Sequence, residues 1–517
     1  HGAMSRQLPL ASRALHTSDA ESILQALTQV ADPDTHFLLS ALGALAKASP
    51  APSPQQVRRA GGAVARVVQA PMDPPQFSHV CWALASLRWQ GPEWLELQSR
   101  VPTSLTVGQR VACTWALARA QAPGDLPSLV EQCLRDQRGM QAQDLANTVW
   151  AAATVRGLVS QGFAAAVERA ADADLEGQQL ASVMWACATL LHRDSSATRL
   201  AARAAREASG LTSREMAQVL WAVARLGVRT KQLMAAVAAK EIPETLADAA
   251  QYLWAHGSMK VRSPDLVDRL LEVCLRHAGG EPRHLANALW ACGTLVHRPG
   301  DKEFYERLSR MAVSRLPEFS GQDLSNAAVA LASVQARTSF FDHWWGAIDG
   351  KRLTTEAWRQ VFLAQKWLSC SNGEPPATGR TAAKAAEAWA QRPVAVGQSS
   401  RHVRVGDAAA ELGYSVVHEE VQVDGVSVDM VIDTAGGRVA VEVDGFWHFT
   451  WDLDGGTPRP DGRTQLKRRL MEDGWGGYAG VVSVEAMDLD ELRTVTEVAL
   501  FLKKKLVVAG VAWAEKK

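Results

Sequence analysis

Leu145-Ala146-Asn147-Thr148-Val149-Trp150-Ala151-Ala152-Ala153 is the stretch from which the fold is read. Leu145, Val149 and Ala153 recur at i, i+4 and i+8, so they form one apolar stripe of a helix with Trp150 beside it. The pattern returns around Trp82, Trp115, Trp185, Trp221, Trp254 and Trp290. The seven tryptophans stand 33, 35, 35, 36, 33 and 36 residues apart. Val329 follows 39 residues after Trp290, and Gly43 precedes Trp82 by 39, in copies that drift as end copies do. Between the Trp segments lies a second alanine-rich helical stretch, such as Phe163–Ala170. One unit is therefore helix–turn–helix. A lone helix pair cannot bury its apolar face, so neighbouring units must stack. The spacing predicts a curved α-solenoid with one long groove over residues 26–370.

Three positions of the unit carry the functional question. The Trp itself suits repeat packing, with base stacking as the alternative. Three residues before it stand His79, Ala112, Asn147, Ser182, Gln218, Gln251, Asn287 and Asn326. All but Ala112 are polar, which suits a ladder of buried amides bonding neighbouring backbones. Six residues before it stand Gln76, Gln109, Asp144, Gln179, Glu215, Asp248, His284 and Asp323. These fall in the first helical turn, where polar side chains cap. The alternative is reading of RNA bases, one or two side chains per repeat.

Composition bounds the class. Hydrophobic residues make up 47% and charged residues 21%, a globular balance. No run of 18 or more apolar residues appears, so no membrane partner is expected. The zero net charge hides a split: residues 401–517 hold 14 Lys+Arg against 20 Asp+Glu, and the first 400 hold 41 against 35. The mildly basic part suits a polyanion. The seven cysteines form no Cys-x-x-Cys pair and read as buried thiols. Residues 1–25 read as the remnant of a targeting segment, because Met4–Ser18 carries Arg6 and Arg13 and no acid.

Residues 371–402, with Ser371-Asn372-Gly373-Glu374-Pro375-Pro376, read as a linker with a short helix over Thr381–Gln391. Beyond it the period changes from 3.6 to 2. A helix over Val403–Leu412 leads to a strand over Ser415–Val423, an Asp424-Gly425 turn and a strand over Val426–Asp433. A third strand follows over Arg438–Asp444. A helix over Gln465–Glu472, a strand over Ala479–Val484 and a helix over Asp490–Leu506 complete an αβββαβα order. Residues 509–517 form a tail. Strand parity puts Glu442 and Asp444 on one face and Val439, Val441 and Val443 on the other. An ordinary hairpin register brings Asp429 to the two acids. Such a carboxylate trio needs a cation, and Mg²⁺ held by Asp429, Glu442 and Asp444 would supply it. His448, Lys467, Arg468 and Arg469 stand nearby in sequence.

The unit typified by Leu145–Ala153 resembles the octotricopeptide-type repeats of organellar RNA-binding proteins. It is more loosely similar to the FAST-kinase-domain family of mitochondrial RNA factors. The segment Val441–Phe449, followed by Gly462–Leu470 and Gly474-Trp475, resembles a RAP domain over residues 403–508. That likeness implies RNA association, a mitochondrial or plastid setting and a fold related to nucleases of the PD-(D/E)xK class. Asp429 then matches the first acid and Glu442 the second. The chain departs from the nuclease pattern where Asp444 replaces a lysine, a charge that Lys467 would supply from the next helix. It departs again at Glu485-Ala486-Met487-Asp488, where RAP domains carry an aromatic stretch. Three functions stay open. The first is binding of single-stranded RNA for processing, stability or translation, with the RAP domain, through Arg468 and Arg469, adding contacts to RNA or to other organellar RNA-processing proteins. The second is an Mg²⁺-dependent endoribonuclease using Asp429, Glu442, Asp444, His448 and Lys467, with no cofactor required otherwise. The third is an rRNA-binding component of an organellar ribosome, among ribosomal proteins.

Overall fold

A computed structural model describes residues 19–30, 33–155, 160–228, 230–277, 280–301, 303–375, 378–391, 399–417, 421–423 and 426–510. The basic stretch Met4–Ser18, the Asp424-Gly425 turn, residues 376–377 and 392–398 of the expected linker, and residues 511–517 of the tail lie outside these. The described chain is mostly helical, with a small sheet region near its C-terminal end. Two compact units comprise residues 1–236 and 237–517. Among the described residues no helix is long and apolar enough to cross a membrane.

In the first unit the Trp-bearing helices are Pro74–Ser86, Val107–Ala120, Ala142–Val155, Gly177–Thr189 and Ser213–Leu226. Each packs on the next, and Thr35–Ala46 packs on the first of them. Second helices such as Leu126–Arg135, Gln161–Asp172 and Ser195–Arg206 form an adjoining row. In the second unit Leu246–Met259, Pro282–Leu295, Gly321–Ser333 and Thr355–Asn372 stack in the same order.

The residue after each Trp explains the close stacking. Ala83, Ala116, Ala151, Ala186, Ala222, Ala255 and Ala291 are all buried, and Ala330 takes the place after Val329. A methyl group there lets neighbouring backbones approach. Gly293 brings them closer still: a Cβ on it would lie 2.4 Å from the Ala330 Cα. The helices also end alike. Six residues after the Trp place, Arg88, Gln121, Leu191, Gly227, Lys260, Val296 and Gln335 adopt a left-handed backbone, with φ between 51° and 70°. That conformation closes the last helical turn.

The C-terminal sheet runs Ser415–Val417, Met430–Thr434, Gly437–Asp444, Gly480–Glu485 in spatial order. The first two pairings are antiparallel and the last is parallel. Val439, Val441 and Val443 join Met430, Ile432, Val482 and Val484 in a core covered by the helices Ser400–Glu411 and Val495–Val508. On the opposite face Leu466 and Leu470 of the helix Gly462–Glu472 are buried.

Five details differ from the sequence expectation. The strand expected over Ser415–Val423 appears as two, Ser415–Val417 and Val421–Val423. The strand expected over Val426–Asp433 is broken at Asp429, whose Oδ2 accepts the Val443 N–H at 2.7 Å in place of a ladder bond. A short helix, Ala486–Glu491, precedes the last one. The hairpin Phe449–Asp452 with Arg459–Pro460 was not foreseen, nor was its parallel partner Val261–Arg262. Within the stretch read as a linker, Arg380–Ala390 is helical. Its Trp389 lies 5.0 Å from the Phe362 ring and 5.6 Å from the Trp475 ring, which makes this part a packed element.

These contacts predict opposite signs for one substitution at two helical glycines. Gly62→Ala, with open space around the added methyl group, should raise stability by up to about 1 kcal/mol through helix propensity. Gly293→Ala should lower it by about 1–3 kcal/mol, because the methyl group meets backbone. Urea unfolding followed by circular dichroism checks both; equal signs would discount the close approach.

Candidate functional site

The tryptophans are not fully buried. All seven are half-buried, because the alanine beside each takes the central place between helices and leaves the ring on the flank. The rings meet one another along the stack. Trp115 and Trp150 lie 6.3 Å apart, Trp150 and Trp185 6.0 Å, and Trp254 and Trp290 6.4 Å; the last two pairs are stacked within 30°. Cationic side chains cover several rings: Lys47 on Trp82, Arg119 on Trp115 and Arg225 on Trp221, at 5.4–5.7 Å. Arg119 and Arg225 also donate to Ala85 O and Ala188 O of the preceding helix, which holds the guanidinium groups in place.

The residues three before the Trp lie in the same half-exposed strip. Asn147 and Asn326 bond to side-chain amides, while His79 bonds to the Leu39 backbone of the neighbouring helix. Asn147 accepts from Gln143 at 2.9 Å, Gln143 from Gln179 at 3.1 Å, and Asn326 from both Gln322 and Gln360. The residues six before the Trp sit at the helix starts. Gln76, Gln109, Gln179, Glu215 and Asp323 close capping boxes with Asp73, Thr106, Glu176, Thr212 and Ser320. Asp144 accepts the Gln141 N–H at 3.1 Å, and Asp248 accepts the Thr245 hydroxyl at 2.8 Å. His284 differs, since its Nδ1 is buried without a hydrogen-bond partner and burial lowers its pKa.

A second site lies in the C-terminal region. A cleft of about 370 Å³ is bounded by Glu442, Asp444, His448, Lys467, Arg468 and Trp447, among others. Lys467 Nζ lies 2.7 Å from Glu442 Oε1, and Arg468 Nη2 lies 3.3 Å from Asp444 Oδ2. Ser483 also donates to Asp444 Oδ2. His448 Nδ1 lies 3.1 Å from Thr464 Oγ1 and 3.7 Å from Asp444 Oδ1. Asp429 faces His402 Nε2 at 3.6 Å as well as the Val443 N–H. Arg469 is turned elsewhere: it donates to Ser333 O and Gln465 Oε1.

Burial pushes Glu442 up to about 7 against the pull of Lys467, with Asp429 and Asp444 adding to the rise. Burial also works to raise Asp429, but His402, the Val443 N–H and Lys467 outweigh it and hold the carboxyl below its usual range. His402 is raised by its bond to Asp429.

The expected Mg²⁺ ligands Asp429, Glu442 and Asp444 are met here by cationic and backbone partners. Among the described residues no group of three or more His, Cys, Asp and Glu side chains could hold a metal ion. The acids share a face, but each is already paired: Glu442 with Lys467, Asp444 with Arg468 and Ser483, Asp429 with His402 and a backbone N–H. Lys467 and Arg468 therefore stand beside Glu442 and Asp444.

The sequence reading missed three contributors. Lys260, at the left-handed helix end after Trp254, reaches the Trp447 carbonyl oxygen and pairs with Asp461 at 2.5 Å. Arg463 pairs with Glu356 at 2.9 Å. Trp447 is 74% exposed at the cleft mouth, beside exposed Phe446. The adjacent aromatic pair was the available signal for the last; nothing in the sequence marks the first two.

Two outcomes follow from these bonds. Gln179→Ala should lower stability by about 1 kcal/mol through loss of its cap, measured by urea unfolding; an unchanged midpoint would release Gln179 from the capping role. The raised pKa of Glu442 means that its stabilising contribution is full below its ordinary value of 4.5 and is lost as pH rises toward about 7. Between those values wild-type stability should therefore fall relative to Glu442→Gln. A parallel pH profile for the two proteins would contradict the assignment.

Compared with known proteins, the chain matches no family model, and no curated sequence is significantly similar to it.

Proposed function

We propose that this protein binds single-stranded RNA in an organelle, mitochondrion or plastid, through an octotricopeptide-like array, with a RAP-like, nuclease-related domain as an accessory contact module. The half-buried tryptophans that recur within each unit carry the reading. Every nucleobase has a π-face, and flat rings at regular steps along a surface accept bases without regard to sequence. Arginine and lysine over the rings add cation–π contact and attraction for phosphate. The side-chain amides beside them offer donors and acceptors to base edges. The basic balance of the first 400 residues agrees with a polyanionic partner.

The cleft near Trp447 supports an accessory role. Its acids are paired with lysine and arginine, an arrangement suited to contact and less to metal-assisted hydrolysis. RNA processing, stabilisation or translation would then follow from occupancy of the transcript.

The test is fluorescence anisotropy of the full chain with labelled single-stranded and duplex RNA over a salt series. Single strands should bind more tightly, with log K falling by about 0.7 per neutralised phosphate for each tenfold rise in salt. Trp150→Ala should weaken binding by about 5- to 160-fold, the worth of one stacked base, while Trp150→Phe restores most of it. Equal affinity for duplex with no salt slope would reject the reading.

A further inference from the structure

On the other side of the start of the helix Gly462–Glu472 from that cleft lies a pocket of about 330 Å³. It is bounded by Arg262, Ser263, His297, Arg298, Thr450 and Arg459, among others. Three arginines face one small space. Arg262 is the deepest, with its side chain 8% exposed. Its Nη2 meets Asp452 at 2.8 Å and the Thr457 carbonyl oxygen at 3.1 Å, but its Nε is buried without a hydrogen-bond partner. A buried donor left without an acceptor is rare in folded chains and marks a place where an acceptor is missing.

The neighbours add positive charge. Arg459 is 69% exposed, and its ion pair is a 4.0 Å approach to the same Asp452 that Arg262 already holds. Arg298 is exposed and, among the described residues, has no ion-pair partner. The helix Pro264–Arg276 begins at the pocket. Its N-cap, Ser263, makes no side-chain cap hydrogen bond, so the first-turn N–H groups receive no capping oxygen from it. A helix start of this length carries partial positive charge and accepts anions. The opposing charges are Asp452, which Arg262 and Arg459 share, Asp265 in the first turn, and Asp268, whose Oδ1 is engaged by His297 Nε2 at 2.8 Å. Burial lowers the pKa of Arg262, and the charge of Arg459 contributes. Burial likewise lowers Arg469, with Arg298 contributing. Asp452 is shared by Arg262 and Arg459, and Arg298 is left without a paired carboxylate among the described residues.

We propose that this pocket binds a phosphate group of the RNA backbone, held by Arg298, Arg459 and the Ser263 end of the helix, with Arg262 beneath. The proposal rests on the RNA-binding reading above and adds to it a defined phosphate position. Pro460 and Gln465 border this pocket, and Asp461 and Thr464 border the cleft with Trp447. A strand crossing the helix start would place one phosphate in the pocket and a neighbouring base at Trp447.

The experiment compares the full-length wild type with Arg298→Gln/Arg459→Gln, both exposed positions, and with Arg298→Lys as the charge-keeping variant. Single-stranded RNA binding is followed by anisotropy over a salt series, and Tm is followed with inorganic phosphate added. The double variant should bind RNA several-fold more weakly at low salt. Its slope of log K against log salt should be shallower by about 0.7, the share of one phosphate that the protein no longer neutralises. Arg298→Lys should keep most of the affinity, and phosphate should raise Tm in the wild type more than in the double variant. Wild-type RNA binding with the same affinity and slope in the double variant would overturn the pocket and leave the functional reading intact. If the wild type binds no RNA, the functional reading falls and backbone phosphate falls with it. The phosphate arm then decides whether a free phosphate site remains, and equal Tm responses would remove that too.

Discussion

The distance between neighbouring helices controls most of what this chain displays. Where Ala151 or Ala291 lies between two Trp-bearing helices, a methyl group is the largest side chain that the gap admits, and at Gly293 not even that is accommodated. Dispersion gains from such close contact are small for each atom pair and large in sum. The same constraint sets the surface. A large ring next to the small residue cannot enter the gap, so it lies over the seam, where Trp115, Trp150 and Trp185, and likewise Trp254 and Trp290, meet. Packing and display of the tryptophans are thus two results of one arrangement.

Much of the helical region is legible in the sequence because its signal repeats. A single Trp in a helical pattern says little, but seven at 33–36 residue steps fix the unit and its register. The side on which each ring ends up is less legible. Periodicity sets Trp150 beside the stripe of Leu145 and Val149 without saying how deep it lies; Leu145 and Val149 are buried and Trp150 is half-buried. A helix face grades from centre to flank over a single position, and side-chain volume decides which residue takes the centre.

In the C-terminal sheet, alternation was enough to separate Val439, Val441 and Val443 from Glu442 and Asp444. What stands opposite the acids was not readable, because it depends on how the helix Gly462–Glu472 docks. A different rotation of that helix would have aimed Arg469 rather than Lys467 at Glu442. The observed rotation is fixed by buried Leu466 and Leu470. Contacts with Lys260 and Arg262 were beyond reach for another reason: they join residues with no shared pattern, 195 to 201 positions apart.

The parallel pairing of Val261–Arg262 with Trp451–Asp452 bears on how the chain is made. A stacked array forms from contacts between adjacent units and can grow as the polypeptide emerges. This short strand is an exception inside such an array. Its partner is synthesised some 190 residues later, so the loop after Trp254 must wait, unpaired, while the helices that follow it are completed. Closure over so long a span is slow by comparison with the local steps before it. The last event in maturation is therefore expected to be the seating of the hairpin on a helical stack that is already in place.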